Sequence, residues 1–318
     1  MRLVLTLVVL VASCAAPARP PAQPTRPAPP PDLASPAGIE RALLRATVDA
    51  DDAALERALS ALRAWTRDDD VAALARAVEL RCLALRVSDD DAWLDAARAD
   101  LQALLARLPA APSGEETGAA VVALLRLFDV TGDELLRADA LARGEALSRH
   151  APREPGGPAR LAACVALLEA TGDERWLERA RAAIGALPER SAVAARALLR
   201  LEAVTADPDW GDVAGVWLRD VAPGPEGDLA KDERALLAMR VNVTGPPGDP
   251  RYDALLRAAR RCCPPRAVVV LRPSGEGYPD LGRAAVFLSF VCPGSSWWTS
   301  APIEDPAALR GAVDAHLR

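Results

Sequence analysis

The sequence predicts a mainly α protein, built of stacked α/α hairpins as a solenoid or incomplete α/α toroid and closed by a small C-terminal α/β unit. Three observations predict it. Apolar residues recur at i, i+3, i+4 and i+7 almost without interruption from Gly38 to about Lys231, as in Leu55, Ala58, Leu59 and Leu62 and again in Val121, Leu124, Leu125 and Phe128. A turn, Val130-Thr131-Gly132-Asp133-Glu134, returns as Ala170-Thr171-Gly172-Asp173-Glu174, with degraded copies at Val87-Ser88-Asp89-Asp90 and Val204-Thr205-Ala206-Asp207. Its spacings of 43, 40 and 34 residues fit helical hairpins. Past Lys231 the period shortens to that of strands.

Met1-Arg2 followed by the apolar stretch Leu3–Ala12 is short for a membrane span, which needs ~20 residues, but suits the apolar core of an export signal. Val11-Ala12-Ser13-Cys14 then resembles the lipobox of bacterial lipoproteins. The resemblance implies cleavage after residue 13, diacylglycerol on Cys14 and a permanent anchor, since each buried methylene contributes ~0.8 kcal/mol. Ala15 beside the cysteine points to the outer membrane. An ordinary signal peptide with an incidental cysteine is the alternative. Residues 15–38 carry nine prolines in 24 positions, which removes backbone donors and fixes φ. Residues 14–38 therefore read as a polyproline tether spanning up to ~75 Å at ~3.1 Å per residue.

Residues 39–230 read as the helical-hairpin domain. Acidic clusters at Asp49–Asp52, Asp68–Asp70 and Asp89–Asp91 punctuate it, as expected of side chains that cap helix N-termini. Residues 231–318 read as the α/β unit: a strand Met239–Thr244, a helix Pro250–Cys262, strands Arg266–Leu271 and Ala284–Val291, and a helix Pro306–Leu317. The helical part holds 23 basic and 34 acidic side chains and the α/β part 12 and 9, which supports a boundary near residue 230.

Composition narrows the function. The chain has 318 residues, 51% hydrophobic and 4% aromatic, with two His and a formal charge of −6. That excludes a His-rich metal centre, and no basic stripe is dense enough to track nucleic acid. No Gly-x-Ser-x-Gly, P-loop, dinucleotide or His-Glu-x-x-His motif occurs, so no catalytic residue, metal or cofactor is assigned.

The stretches Val241–Pro250, Ala254–Arg261 and Pro265–Leu271 resemble the end of the spermatogenesis-associated protein 20 family, as do Phe290-Val291-Cys292, Pro302–Leu309 and the helix Ser191–Leu201. That family joins a thioredoxin-like domain to a six-hairpin α/α region related to N-acylglucosamine 2-epimerases. The resemblance implies an α/α toroid. It departs in two ways: an export signal and tether stand in place of the thioredoxin-like domain, and Ser295–Ser300 replaces a second tail cysteine. The related epimerases use histidines as acid and base, whereas here His150 closes a helix and His316 nears the chain end. Inherited epimerase chemistry is not expected.

Cys82 and Cys164 lie in apolar stripes and read as buried thiols. Cys263 and Cys292 flank the second and third strands and could meet in a disulfide if those strands run antiparallel. Trp297 and Trp298 would either stack on a carbohydrate or protein partner or fill the gap between the two parts. Tryptophans 65, 93, 176, 210 and 217 accompany helices as core. The first functional reading is a lipid-anchored envelope protein whose helical body binds or scaffolds, with the membrane and an envelope protein or glycan as partners. An enzyme or enzyme accessory acting on sugars inside a toroid, and a partner of a separate thioredoxin-like protein, are the alternatives. A closed ring with two carboxylates and aromatics around a pit would favour the sugar reading, and an open arc the scaffold.

Overall fold

The computed structural model describes residues 32–149, 157–187, 190–236, 239–246, 249–262, 267–272, 281–291 and 297–317. Residues 31–318 form one compact unit. Five hairpins come first: α1 (Pro36–Asp49) with α2 (Asp52–Ala64), α3 (Val71–Ser88) with α4 (Ala92–Arg107), α5 (Gly114–Thr131) with α6 (Glu134–Arg149), α7 (Pro158–Thr171) with α8 (Arg175–Gly185), and α9 (Ala192–Thr205) with α10 (Pro208–Asp220). A single helix, α11 (Pro225–Leu236), follows.

Local chemistry sets these boundaries. The side chains of Ser35, Asp51, Asp70 and Ser191 each accept a backbone N–H at the start of α1, α2, α3 and α9, and Ser113 and Glu116 form a reciprocal capping box on α5. The repeated turn is a helix-ending device. Thr131, Thr171 and Thr205 donate to the carbonyls of Leu127, Leu167 and Leu201 at 2.6–2.8 Å and accept the N–H of Asp133, Asp173 and Asp207. Between them Gly132, Gly172 and Ala206 turn left-handed, with φ of 69°, 66° and 65°, as Ala50 and Asp89 do after α1 and α3.

The odd-numbered helices pack in a continuous circuit: α1 on α3, α3 on α5, α5 on α7, α7 on α9, α9 on α11, and α11 back on α1. Each even-numbered helix from α2 to α10 packs outside its own partner. The ring is therefore closed, six helices within and five without among the described residues. Inner α5 and α7 are apolar on nearly every side, as in the buried run Ala120–Leu125, whereas outer α8 buries one stripe of Trp176, Ala180 and Ala183. Gly118 lets α5 approach α7, because a Cβ there would lie 2.7 Å from the Ala159 backbone. Closure rests on Ala37, Leu44 and Leu229, which share a buried cluster, and on Asp232 of α11, whose carboxylate accepts from Arg41 at 2.6 Å and from Arg45 at 2.6 and 2.7 Å.

Beyond the ring, β1 (Met239–Thr244), α12 (Pro250–Cys262), β2 (Ala267–Arg272), β3 (Ala285–Val291), β4 (Trp297–Thr299) and α13 (Pro306–Leu317) form the α/β unit. The sheet order is β2-β1-β3-β4, with β1 parallel to β2 and antiparallel to β3, and β4 antiparallel to β3. Met239, Val241 and Val243 face Leu255, Leu256, Ala259, Leu309 and Val313 of α12 and α13. Val268 and Val270 of β2 instead enter the core of the ring. Two arginines fasten the unit to the ring: Arg260 donates to the Ala170 carbonyl at 3.2 Å and Arg240 to that of Glu202 at 2.8 Å, so cations meet the C-terminal ends of α7 and α9. The α/β unit thus stands under one face of the ring. No described helix is long and apolar enough to cross a membrane.

Candidate functional site

The ring encloses a lumen whose lining follows from the repeat. Counting back from the left-handed residues Ala50, Asp89, Gly132, Gly172 and Ala206, positions at helical spacing turn to the axis. Ten residues back stand Glu40, Glu79, Val122, Ala162 and Arg196; six back, Leu44, Leu83, Arg126, Ala166 and Arg200; three back, Arg86, Asp129 and Glu169. Thirteen back, near the N-terminal ends of α3, α5, α7 and α9, stand Arg76, Ala119, Ala159 and Val193. The small side chains on α5 and α7 leave a cavity of about 410 Å³ at that end, and α11 adds Glu226 and Glu233 to its wall. Below it the axis narrows to spaces of about 80 and 30 Å³, the last bounded by Ala267 and Val269 of β2.

The charges across the axis form two interlocked sets. In the first, Glu40 accepts from Arg76 and, at 2.7 Å, from Arg196, and Arg196 donates to Glu233 at 2.5 Å. These bonds join α1, α3, α9 and α11. Burial works to raise the Glu40 pKa, but the guanidiniums of Arg196 and Arg76 overcome it and hold the carboxyl at about 2. In the second set, Arg200 grips Glu169 through two bonds of 2.8 and 3.2 Å, while Arg86 and Arg126 approach Asp129 at 3.5 Å and Arg260 at 3.7 Å. Burial works against the charge of Arg200, and Glu169 more than offsets it, raising that pKa.

Such a site can hold a ligand by shape and by guanidinium hydrogen bonds. General acid chemistry wants a carboxyl whose pKa is raised toward neutrality, and Glu40 is shifted the opposite way. Among the described residues no aromatic side chain lines the lumen, and no group of three His, Cys, Asp or Glu side chains is placed to hold a metal ion.

The residues singled out in the sequence lie elsewhere. Cys14, Cys263, Cys292 and His150 are outside the described residues. Trp297 and Trp298 form β4, paired with Val291 and Phe290. Strands β2 and β3 are not neighbours, because β1 runs between them, so their ends stand two strand spacings, ~9.6 Å, apart. Cys82 and Cys164 are buried, and burial pushes their thiols up to about 12 and about 11. Trp93 and Trp176 are buried, and Trp65, Trp210 and Trp217 pack at the edges of the cores. The axial charges had a signal that sequence reading missed: Arg76, Arg126 and Arg200 interrupt otherwise apolar inner helices at fixed distances from the repeated turn. No family model matches the chain, and no curated protein does either.

Proposed function

We propose that this is a lipid-anchored protein of the bacterial cell envelope, held by Cys14 at the outer membrane facing the periplasm, whose ring binds a ligand or partner group without transforming it. One observation carries the binding half: a lumen of about 410 Å³, walled by alanine and valine, ends on ion-paired carboxylates and guanidiniums. Paired charges of this kind position and recognise, whereas acid–base work needs groups free to exchange protons. The lipobox resemblance and the proline-rich tether support the anchor. Ring closure favours the second reading, an enzyme acting on sugars, and it is the α/α architecture that the resemblance to the spermatogenesis-associated protein 20 family implies. The absence of aromatics from the described lining weighs against that chemistry.

Native mass spectrometry of the full chain, extracted from envelopes in detergent, tests the reading. The expected result is a co-purifying small-molecule mass that is lost from Ala119→Phe and Ala162→Phe, with helical circular dichroism retained. No bound mass, or one retained by both variants, would overturn binding in the lumen. Release of the wild-type chain from membranes by salt alone would overturn the anchor.

A further inference from the structure

Among the described residues, the lowest part of the axis holds more guanidiniums than carboxylates. Four guanidiniums, of Arg86, Arg126, Arg200 and Arg260, and two carboxylates, of Asp129 and Glu169, line the space of about 30 Å³ between the lumen floor and β2. Arg200 and Glu169 satisfy each other. The remaining three arginines share one carboxylate, Asp129, at 3.5, 3.5 and 3.7 Å, longer than charge-assisted hydrogen bonds of ~2.8 Å. Arg126 adds only a 3.5 Å approach to Glu169. The buried Nε of Arg86 has no hydrogen-bond partner among the described residues. Arg260, 5% exposed, has its guanidinium over the Phe128 ring, 4.3 Å from the centroid, besides its bond to the Ala170 carbonyl.

The other described carboxylates of the axis, Glu40, Glu79, Glu226 and Glu233, stand higher, around the lumen and the space beneath it. Glu40, Glu79 and Glu233 form their ion pairs with Arg76 and Arg196, and the ion pairs of Arg86, Arg126 and Arg200 go to Asp129 and Glu169. Cations buried beyond the reach of enough counter-charge are costly unless an anion joins them. The space exceeds the ~15 Å³ that one water-sized group occupies and is too small for an organic molecule. Arg126 and Arg200 also line the lumen and the narrow space beneath it, and Asp129 and Arg260 line a second cavity of about 290 Å³ beside α12, so the site borders both.

We infer that Arg86, Arg126, Arg200 and Arg260 hold a small anion beneath the lumen: a halide, or the carboxylate end of a molecule seated in the lumen above. The halide form stands apart from the binding reading, because an inorganic anion would occupy the site whether or not the lumen takes a ligand; the carboxylate form rests on that reading.

The test uses the full chain in detergent at fixed pH and ionic strength. Chloride is exchanged stepwise for the bulky sulfonate MES, and acetate for MES in a parallel series. The expected result is a melting temperature that rises with the logarithm of chloride concentration, and a rise that is lost in Arg86→Gln. An equal rise with acetate supports the same site filled from the lumen. Crystals grown in bromide keep the proposal open to test should Arg86→Gln fold poorly: an anomalous peak among the four guanidiniums is expected. A melting temperature indifferent to both exchanges, or bromide crystals without that peak, would overturn it.

Discussion

Removing the charge of Glu40 while keeping its shape tests the first axial ion-pair set. The side chain is 12% exposed and accepts from arginines on two other helices, Arg76 and Arg196. Its pKa falls from an ordinary 4.5 to about 2 against the opposing effect of burial, which corresponds to about 3 kcal/mol of folding stability. Because the folded value is the lower one, this stability is present in full above pH 4.5 and is lost as pH falls toward 2. Glu40→Gln is therefore expected to lose about 3 kcal/mol at pH 7, consistent with breaking one partner out of a buried pair. At pH 3 the gap to wild type narrows to roughly half that value. Urea denaturation of both proteins at pH 7, 5, 4 and 3 measures it. A loss below about 1 kcal/mol at pH 7, or a gap that does not narrow with acid, would refute the assignment.

Four further outcomes follow from the turns and the core. Ala206 holds φ of 65° where two of the equivalent turns use glycine, Gly132 and Gly172, so Ala206→Gly is expected to raise stability by about 1 kcal/mol, and Gly172→Ala, whose Cβ would sit 3.2 Å from Leu271, to lower it by at least as much, both read from urea midpoints. Ser113→Ala removes the capping box of α5 and is expected to cost about 1 kcal/mol in the same assay. Cys82 and Cys164, buried and with thiols raised to about 12 and about 11, should resist iodoacetamide at pH 8 in the native protein and react once it is unfolded, as peptide mass spectrometry would show.

Much of the fold was legible because its signals are local. Proline at Pro250 and Pro306 and the change of period after Lys231 place α12, α13 and the three longer strands within a residue of where the sequence predicts them. Strand β4, three residues long, offers too few positions for an alternating pattern to register. Ring closure was not legible, because Arg41 and Asp232 meet across 191 residues and nothing in a hairpin repeat says where the series bends back. The axial residues fall between these cases. Their spacing from the repeated turn is written in the sequence, but the register becomes visible only once Ala50, Asp89 and Ala206 are known to occupy the left-handed region alongside Gly132 and Gly172. An alanine or aspartate does not announce that conformation. The acidic clusters were correctly read as punctuation, since Asp51 and Asp70 cap α2 and α3 while Asp89 closes α3.

The central structural claim is the closed ring, and a double-mutant cycle on Arg41 of α1 and Asp232 of α11 tests it most directly. Side-chain exposures of 6% and 13% and a contact of 2.6 Å make this a buried pair. Arg41→Met, Asp232→Asn and the double variant, compared by urea denaturation of the full chain at pH 7, are expected to give a coupling energy of about 2 kcal/mol. The two residues sit in the first and last helices of the series, so an open arc would hold them far apart. A coupling near zero, with the single losses simply adding, would contradict the ring.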